Sequence, residues 1–354
     1  MLVGINMRHL LISAVLVCAS GIISADTLDD GPYVFTSLPN WQALWVCAGE
    51  AKARTLPEVK SAVTIEECGL QAQLQPQAAK RPVLEYPQPS KLAAISDIHG
   101  QFELFKTLLT AHGIMDKQGN WQFGQGHLVI TGDIFDRGPR QTEALWLIYQ
   151  LQHQALEAGG KLHFLLGNHE MMVLNGDLRY LNEKYEKIAT LLNRPFPALY
   201  GEDTVLGQWL RSRNVLVKVG ELLFLHGGLH PDLAKEGRTL AEINQVFSGQ
   251  LIEDKDHPRE GFTRYLHKTN GPIWYRGYFR FPQASNEDID ALRSHFGVNS
   301  IVVGHTTQEH VSSFYDGKII AIDSGIKNGE NGEMLLIENG KRYRGLLDGS
   351  RVSL

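Results

Sequence analysis

Two side chains with the chemistry of metal ligands, Asp97 and His99, close the apolar run L-A-A-I-S-D-I-H-G at residues 92–100. A run of that length before a turn residue reads as a buried strand, so both side chains sit where a strand opens into a loop. Alternate residues on an extended segment point the same way, which would bring the Asp97 carboxylate and the His99 imidazole to one point. Oxygen and nitrogen converging there suit a first-row divalent cation. On its own the pair is weak, because an Asp at a strand end is more commonly a turn former or a helix cap.

Four later stretches repeat the design: H-L-V-I-T-G-D-I-F-D-R-G at 127–138, L-H-F-L-L-G-N-H-E at 162–170, L-L-F-L-H-G-G-L at 222–229 and I-V-V-G-H-T at 301–306. Five strand ends carrying Asp, His, Asn and Arg describe a site built at the rim of a sheet. In this order they closely resemble the calcineurin-like metallophosphoesterases of the phosphoprotein phosphatase type, whose pattern is D-x-H-G, G-D-x-x-D-R-G, G-N-H-E, H-G-G and a final His. The likeness runs from about residue 92 to 325. With the N-terminal features described below, the chain resembles the Shewanella-like phosphatases, the branch that includes cold-active bacterial protein-tyrosine phosphatases.

The resemblance implies hydrolysis of phosphomonoesters, with phosphotyrosine in a protein, or a small aryl phosphate, as the leading substrate class. It also implies two divalent cations, roughly 3.5 to 4 Å apart, that lower the pKa of a bridging water and bind the phosphoryl group. Matched position by position, Asp97 and His99 would hold the first metal, and Asn168, His226 and His305 the second. Asp133 would bridge both, because one carboxylate can serve two cations. His169 resembles the general acid and Asp136 the carboxylate that orients and charges it. Arg137 and Arg276 resemble the two guanidiniums that grip phosphate through their forks, with Arg280 a nearby rival for the second. Glu170 is expected to support the loop without touching metal. The mixed N/O donor set favours Mn, Fe, Zn or Co over Mg or Ca.

Around this set, Tyr275, Tyr278, Phe279 and Phe281 flank Arg276 and would either hold a phenyl phosphate or pack as core. His112, His127, His153 and His163 read as surface or satisfied core residues without convergent partners, His230 and His310 as candidates for the rim, and Met171-Met172 as core packing. Two rivals share the site: a dinucleoside polyphosphate hydrolase and a broad-specificity phosphatase. A rival of another class is an exported protein that binds metal or phosphate without turnover.

Positioning such a set requires alternating strands and helices. Apolar residues at helical spacing predict a helix over 101–112, whose N-terminus would point at the metal-type residues and favour phosphate. A strand over 127–131, a loop, a helix over 141–158 and a strand over 162–166 follow. The fold class is therefore α/β with partly parallel sheets, and the family fold it resembles is a central β-sandwich of mixed sheets flanked by helices, with the dimetal site at the C-terminal ends of the strands. Further helices are expected over 177–192, 206–213 and 286–296, and a strand over 300–303. The polar segment 234–270 is expected to form irregular walls or a lid. Two hairpins should turn at Asp316-Gly317 and Asn339-Gly340.

A chain of 354 residues with net charge −5 and scattered basic residues has no basic face for nucleic acid. Residues 1–25 are laid out as a signal peptide: Arg8, an acid-free apolar run over 10–17, then small residues ending at Ala25. That run is short for a bilayer, so no stable membrane insertion and a periplasmic or secreted product are expected; a monomer is expected as well, though no stretch of the sequence decides it. Cleavage after Ala25 removes Cys18 and leaves Cys47 and Cys68, which an oxidising compartment would pair, two free buried thiols being the alternative. Residues 26–90 read as an extension packing on a catalytic domain over 91–354.

Overall fold

Burial alternates along the strands in a way that decides the layering. In Lys91–Ile95, Leu92 and Ala94 face one apolar cluster while Ala93 and Ile95 face another, and all four are fully buried. A strand buried on both faces belongs in the middle of a layered α/β protein. The computed structural model describes Met1 and residues 28–36, 40–76 and 80–354. The signal-peptide reading of 1–25 therefore lies, but for Met1, outside the described residues.

Two six-stranded mixed sheets form the centre. One runs Arg351–Ser353, Lys341–Leu346, Glu333–Glu338, Lys91–Ile95, His127–Ile130, Lys161–Phe164, its last three strands parallel. The other runs Ser312–Phe314, Ile319–Ala321, Ser300–Val303, Leu222–Leu225, Leu216–Val219, Glu85–Tyr86. Between them lies a cluster that includes Leu92, Ala94, Val129, Phe224, Val302, Ile320 and Leu335. Truncating one of these, as in Leu335→Ala, should cost about 2–5 kcal/mol through lost burial and an unfilled cavity.

Helices cover the outer faces. Phe102–Ala111 and Gln141–Glu157 turn Phe105, Leu108, Leu109, Leu145, Ile148 and Leu151 onto the first sheet. Asn286–Phe296 covers the second with Ile289 and Leu292, capped by Ser285 at its start and by Gly297 with φ 61° at its end. Both hairpins turn where expected.

Two segments differ from the sequence reading. The helix expected over 177–192 begins only at Glu183, where Asn182 caps it by accepting from the Lys184 N–H; the preceding residues form a turn against Arg137. The segment 234–270 holds the helices Leu240–Gly249 and Gly261–Leu266. Leu240, Ile243, Phe247 and Leu266 enter the core beside the second sheet instead of forming an irregular lid. The spacing i, i+3, i+7 was present there, obscured by polar neighbours.

The extension forms a three-stranded sheet, Asp30–Phe35, Trp41–Cys47 and Glu50–Leu56, and a hairpin, Val63–Glu67 with Leu70–Leu74. Its Tyr33, Trp45, Ile65 and Leu74 share one core cluster with the catalytic helices. Cys47 and Cys68 form a disulfide. Among the described residues no helix is long and apolar enough to cross a membrane.

Candidate metal centre

The side chains named from sequence meet at the C-terminal ends of the strands, through backbone geometry that alternation on a strand does not provide. Among the described residues, six of the twelve non-glycine residues with positive φ are Asp97, His99, Asp133, Asp136, Arg137 and His305, with φ between 47° and 71°. Asp97 and His99 thus converge from a left-handed turn beyond the strand end, a correction to the extended geometry expected for them. Such conformations cost roughly 1–3 kcal/mol each and persist only where surrounding bonds hold them.

Those bonds link one loop to the next. The N–H groups of Asp97 and His99 donate to the carbonyls of Gly132 and Asp133, at 3.1 and 2.9 Å, and Gly138 N–H donates to the His99 carbonyl at 2.9 Å. Gly100 and Gly138 cross so closely that a Cβ on Gly100 would lie 2.5 Å from the Gly138 carbonyl oxygen. Glu170 accepts from the N–H groups of Asp133, Ile134 and Gly167, at 2.8, 2.7 and 2.7 Å, so its carboxylate braces two loops and faces backbone. His305 N–H donates to Oδ2 of Asp97 at 2.9 Å, tying the last loop to the first.

Asp133 stands at the centre. Its Oδ2 lies 3.1 Å from Nε2 of His226, 3.6 Å from Nε2 of His99 and 3.9 Å from Nε2 of His169. Nε2 of His226 is 2.9 Å from Oδ1 of Asn168 and 3.2 Å from Nδ1 of His305. Oδ1 of Asp97 is 3.9 Å from Nε2 of His99. Two groups able to hold a cation result, His99 with Asp133 and His169, and Asp133 with His226 and His305, and Asp133 belongs to both.

The tautomers fit metal binding. His99 places Nδ1 2.7 Å from the Phe135 carbonyl, His226 places Nδ1 2.9 Å from the Thr131 carbonyl, and His305 places Nε2 3.2 Å from the Trp274 carbonyl. A carbonyl only accepts, so each of these nitrogens carries a proton, and each ring turns its other nitrogen inward, where it can offer a lone pair to a cation. Facing ligand atoms 3.1 to 3.9 Å apart fit around a cation with ligand distances of about 2.0–2.2 Å.

The field agrees. Burial opposes charge on Asp133, but the facing imidazoles of His226 and His169 outweigh it and hold the carboxyl well below its ordinary value. Burial opposes charge on His226, yet Asp133 and Asp97 raise it to about 9. Burial, then repulsion from Asp323, raises Asp97 to about 7. The carboxylates of Asp133 and Asp97 thus favour positive charge at His226, while burial opposes charge throughout the centre and pushes His99 down to about 3.

Beside this cluster, Nδ1 of His169 lies 2.5 Å from Oδ2 of fully buried Asp136. Burial opposes charge on His169, but Asp133 and the Asp136 hydrogen bond overcome it and raise its pKa. Arg276 donates to the His305 carbonyl at 2.6 Å and lies 3.3 Å from Thr306 Oγ1, so of the two rivals this one reaches the cluster. Arg137 sits over the ring of Tyr180, 5.1 Å from its centroid.

The aromatic set flanking Arg276 does not form a pocket. Tyr278 is fully buried with its hydroxyl bonded to Leu229, Phe279 packs on Phe314, and Phe281 is 98% exposed. The aromatics at the site include Tyr180, 44% exposed and 5.5 Å from the His169 ring, ten residues past Glu170 in sequence and flagged by no motif, and Trp274, 5.8 Å from the His305 ring. His163 and His127, read as lacking partners, face each other at 3.1 Å beside Tyr86, away from the cluster. His230 packs on Tyr275, and His310 bonds Glu333.

Comparison with known proteins gives a consistent picture. A family model described as calcineurin-like phosphoesterase matches residues 90–309. A solved structure of a cold-active protein-tyrosine phosphatase of a psychrophilic Shewanella species superposes with a TM-score of 0.87 at 42% identity, covering 92% of this chain and 99% of that one. Shewanella-like protein phosphatase 2 of Arabidopsis thaliana is 27% identical over 291 residues, covering 69% of this chain and 73% of the relative. A symmetrical bis(5'-nucleosyl)-tetraphosphatase of Proteus mirabilis is 30% identical over 160 residues, covering 44% of this chain and 51% of the relative.

Proposed function

The chain belongs to the calcineurin-like phosphoesterase family and is a metal-dependent phosphoester hydrolase, and from that premise we propose that it is an exported protein-tyrosine phosphatase. The observation that carries the chemical reading is the position of His169, held by Asp136 on one nitrogen and turned toward the shared Asp133 with the other. The choice of phosphotyrosine is supported by the 42% identity to a protein-tyrosine phosphatase.

In this reading Asp97 and His99 would hold one divalent cation, Asn168, His226 and His305 would hold the other, and Asp133 would serve both. Two such cations, when bound, lower the pKa of a shared water and neutralise phosphoryl oxygens. Arg137 and Arg276 orient the phosphate, one from beside His169 and one from beside His305. As the water oxygen bonds to phosphorus and the P–O ester bond breaks, His169 delivers its Nε2 proton to the departing oxygen, and the proton lost by the water, passed through solvent, restores the ring. Asp136 keeps the imidazole turned and protonated for that step.

Export rests on the layout of residues 1–25 and on the Cys47–Cys68 disulfide, which fits an oxidising compartment. N-terminal sequencing of protein recovered from the periplasm should begin at Asp26.

The deciding experiment compares phosphotyrosine peptide, phosphoserine peptide and diadenosine tetraphosphate on protein reconstituted with manganese. The phosphotyrosine peptide should win by at least about tenfold in kcat/KM, or ~1.4 kcal/mol of transition-state binding. Preference for the dinucleotide would move the assignment to a dinucleoside polyphosphate hydrolase, and no turnover of any aryl phosphate would favour a binding role.

A further inference from the structure

The extension carries a carboxylate into the interior. Asp30, on the strand Asp30–Phe35, is fully buried, and its Oδ2 accepts from the hydroxyl of Tyr33 and, at 3.1 Å, from Oγ1 of Thr142. Nζ of Lys184 lies 3.1 Å from its Oδ1. A buried carboxylate without such partners would be costly, and with them it becomes a fixed anchor.

From Lys184 the bonds run on toward the site. The same ammonium donates to the Pro139 carbonyl at 2.8 Å, and the Tyr185 hydroxyl donates to that carbonyl at 2.9 Å. Gln141 N–H donates to the Tyr185 hydroxyl at 2.8 Å, and Oε1 of Gln141 accepts from the N–H of Asp136 at 2.7 Å. Asp136 then holds His169. Asp136 and Arg137 in this turn are both left-handed, at φ 71° and 66°, so the turn needs outside bonds to keep its shape.

We propose that the N-terminal extension is part of the catalytic apparatus: Asp30 is a positioning residue that, through Lys184, Tyr185 and Gln141, sets the turn 136–141 so that Asp136 aligns the His169 imidazole. This rests on His169 as the proton donor. The extension thereby joins the active site without touching substrate. Loss of the anchor lets the turn relax, and proton delivery suffers before binding does.

The test uses the dependence of rate on the leaving group, in the full metal-loaded chain. Phenyl phosphate needs a proton on the departing oxygen, and 2,4-dinitrophenyl phosphate does not. Asp30→Asn should lower kcat on phenyl phosphate by about tenfold or more, a fraction of the 10²–10⁴ available from general acid catalysis. It should change KM little and the dinitrophenyl rate by less than about threefold. Lys184→Met, altered at a side chain that reaches the surface, should give the same pattern, and it decides the matter if Asp30→Asn does not fold. Equal losses on both esters, or lowered thermal stability with both rates intact, would overturn the proposal. His169→Asn separates the two levels. If it shows no leaving-group dependence, the general-acid reading itself fails; if it does and the Asp30 and Lys184 variants do not, only the positioning role falls.

Discussion

Nδ1 of His169 lies 2.5 Å from Oδ2 of Asp136, while Nε2 of the same ring lies 3.9 Å from Oδ2 of Asp133. One imidazole thus connects a carboxylate that orients it to the carboxylate at the middle of the cation-binding cluster. Asp136 belongs to neither cation-binding group, which separates its role from that of a ligand. Asp136→Asn should therefore lower kcat on phenyl phosphate by about 10²-fold and leave bound metal, measured by plasma mass spectrometry, at the wild-type level. Loss of metal along with activity would place Asp136 among the ligands.

Asp133 belongs to both candidate groups, so its removal should act on both. Asp133→Asn is expected to lose about 10³-fold or more in turnover and most of its metal, since one amide oxygen cannot serve two cations. Near-normal turnover with full metal content would refute the shared role.

Tyr180 presents an exposed ring beside His169, under the Arg137 guanidinium. In the proposed mechanism the oxygen that His169 protonates carries the leaving group, so an aryl leaving group would emerge toward this ring. Tyr180→Ala should lower kcat/KM for phosphotyrosine peptide by about tenfold, within the range of aromatic contacts, and for phosphoserine peptide much less. Tyr180→Phe should keep the preference. A uniform loss on both peptides would reduce Tyr180 to a prop for Arg137.

Acid should weaken the fold at the His163–His127 contact. Burial, then repulsion from His127, pushes His163 down to about 3, and burial with Lys161 pushes His127 down to about 4, from an ordinary 6.5. Both folded-state values are depressed, so the unfolded chain takes up protons first as the pH falls below 6.5. The contribution of this pair is then complete above pH 6.5 and declines from there toward about pH 4. The urea midpoint should drop between pH 7 and pH 5, and His163→Gln should flatten that slope; an unchanged slope would exclude this pair as the cause.

The Cys47–Cys68 bond closes a loop of 21 residues in sequence separation. Restricting the unfolded chain over such a loop contributes about 3 kcal/mol in the chain-entropy account. Paired Cys47→Ser and Cys68→Ser should lower the denaturant midpoint accordingly, with bound metal unchanged because neither residue is near the cluster. A variant as stable as wild type would show that the extension's packing alone suffices.

Much of the site could be read from local pattern. Short apolar runs ending in Asp97, Asp133, Asn168, His226 and His305 reflect a physical necessity: a parallel sheet buried on both faces must be apolar until it reaches the rim, so ligands appear abruptly at its strand ends. The helix Asn286–Phe296 was legible for a similar reason, because its cap, its apolar spacing and its terminal glycine all act within a few residues.

What depended on tertiary structure was where the side chains face and whom they meet. Tyr278 reads as a possible ring for substrate until the fold buries it against Leu229, and Tyr180 is unremarkable until a turn brings it to His169. His163 meets His127 across 36 residues, and Asp30 meets Thr142 across 112. Residue type and spacing therefore determined the chemistry available to this protein, because those are carried by the chain itself. The left-handed turns that aim Asp97 and His99, and the buried bonds from Asp30 toward Asp136, were decided by packing, because only the folded chain holds strained backbone and distant partners in place.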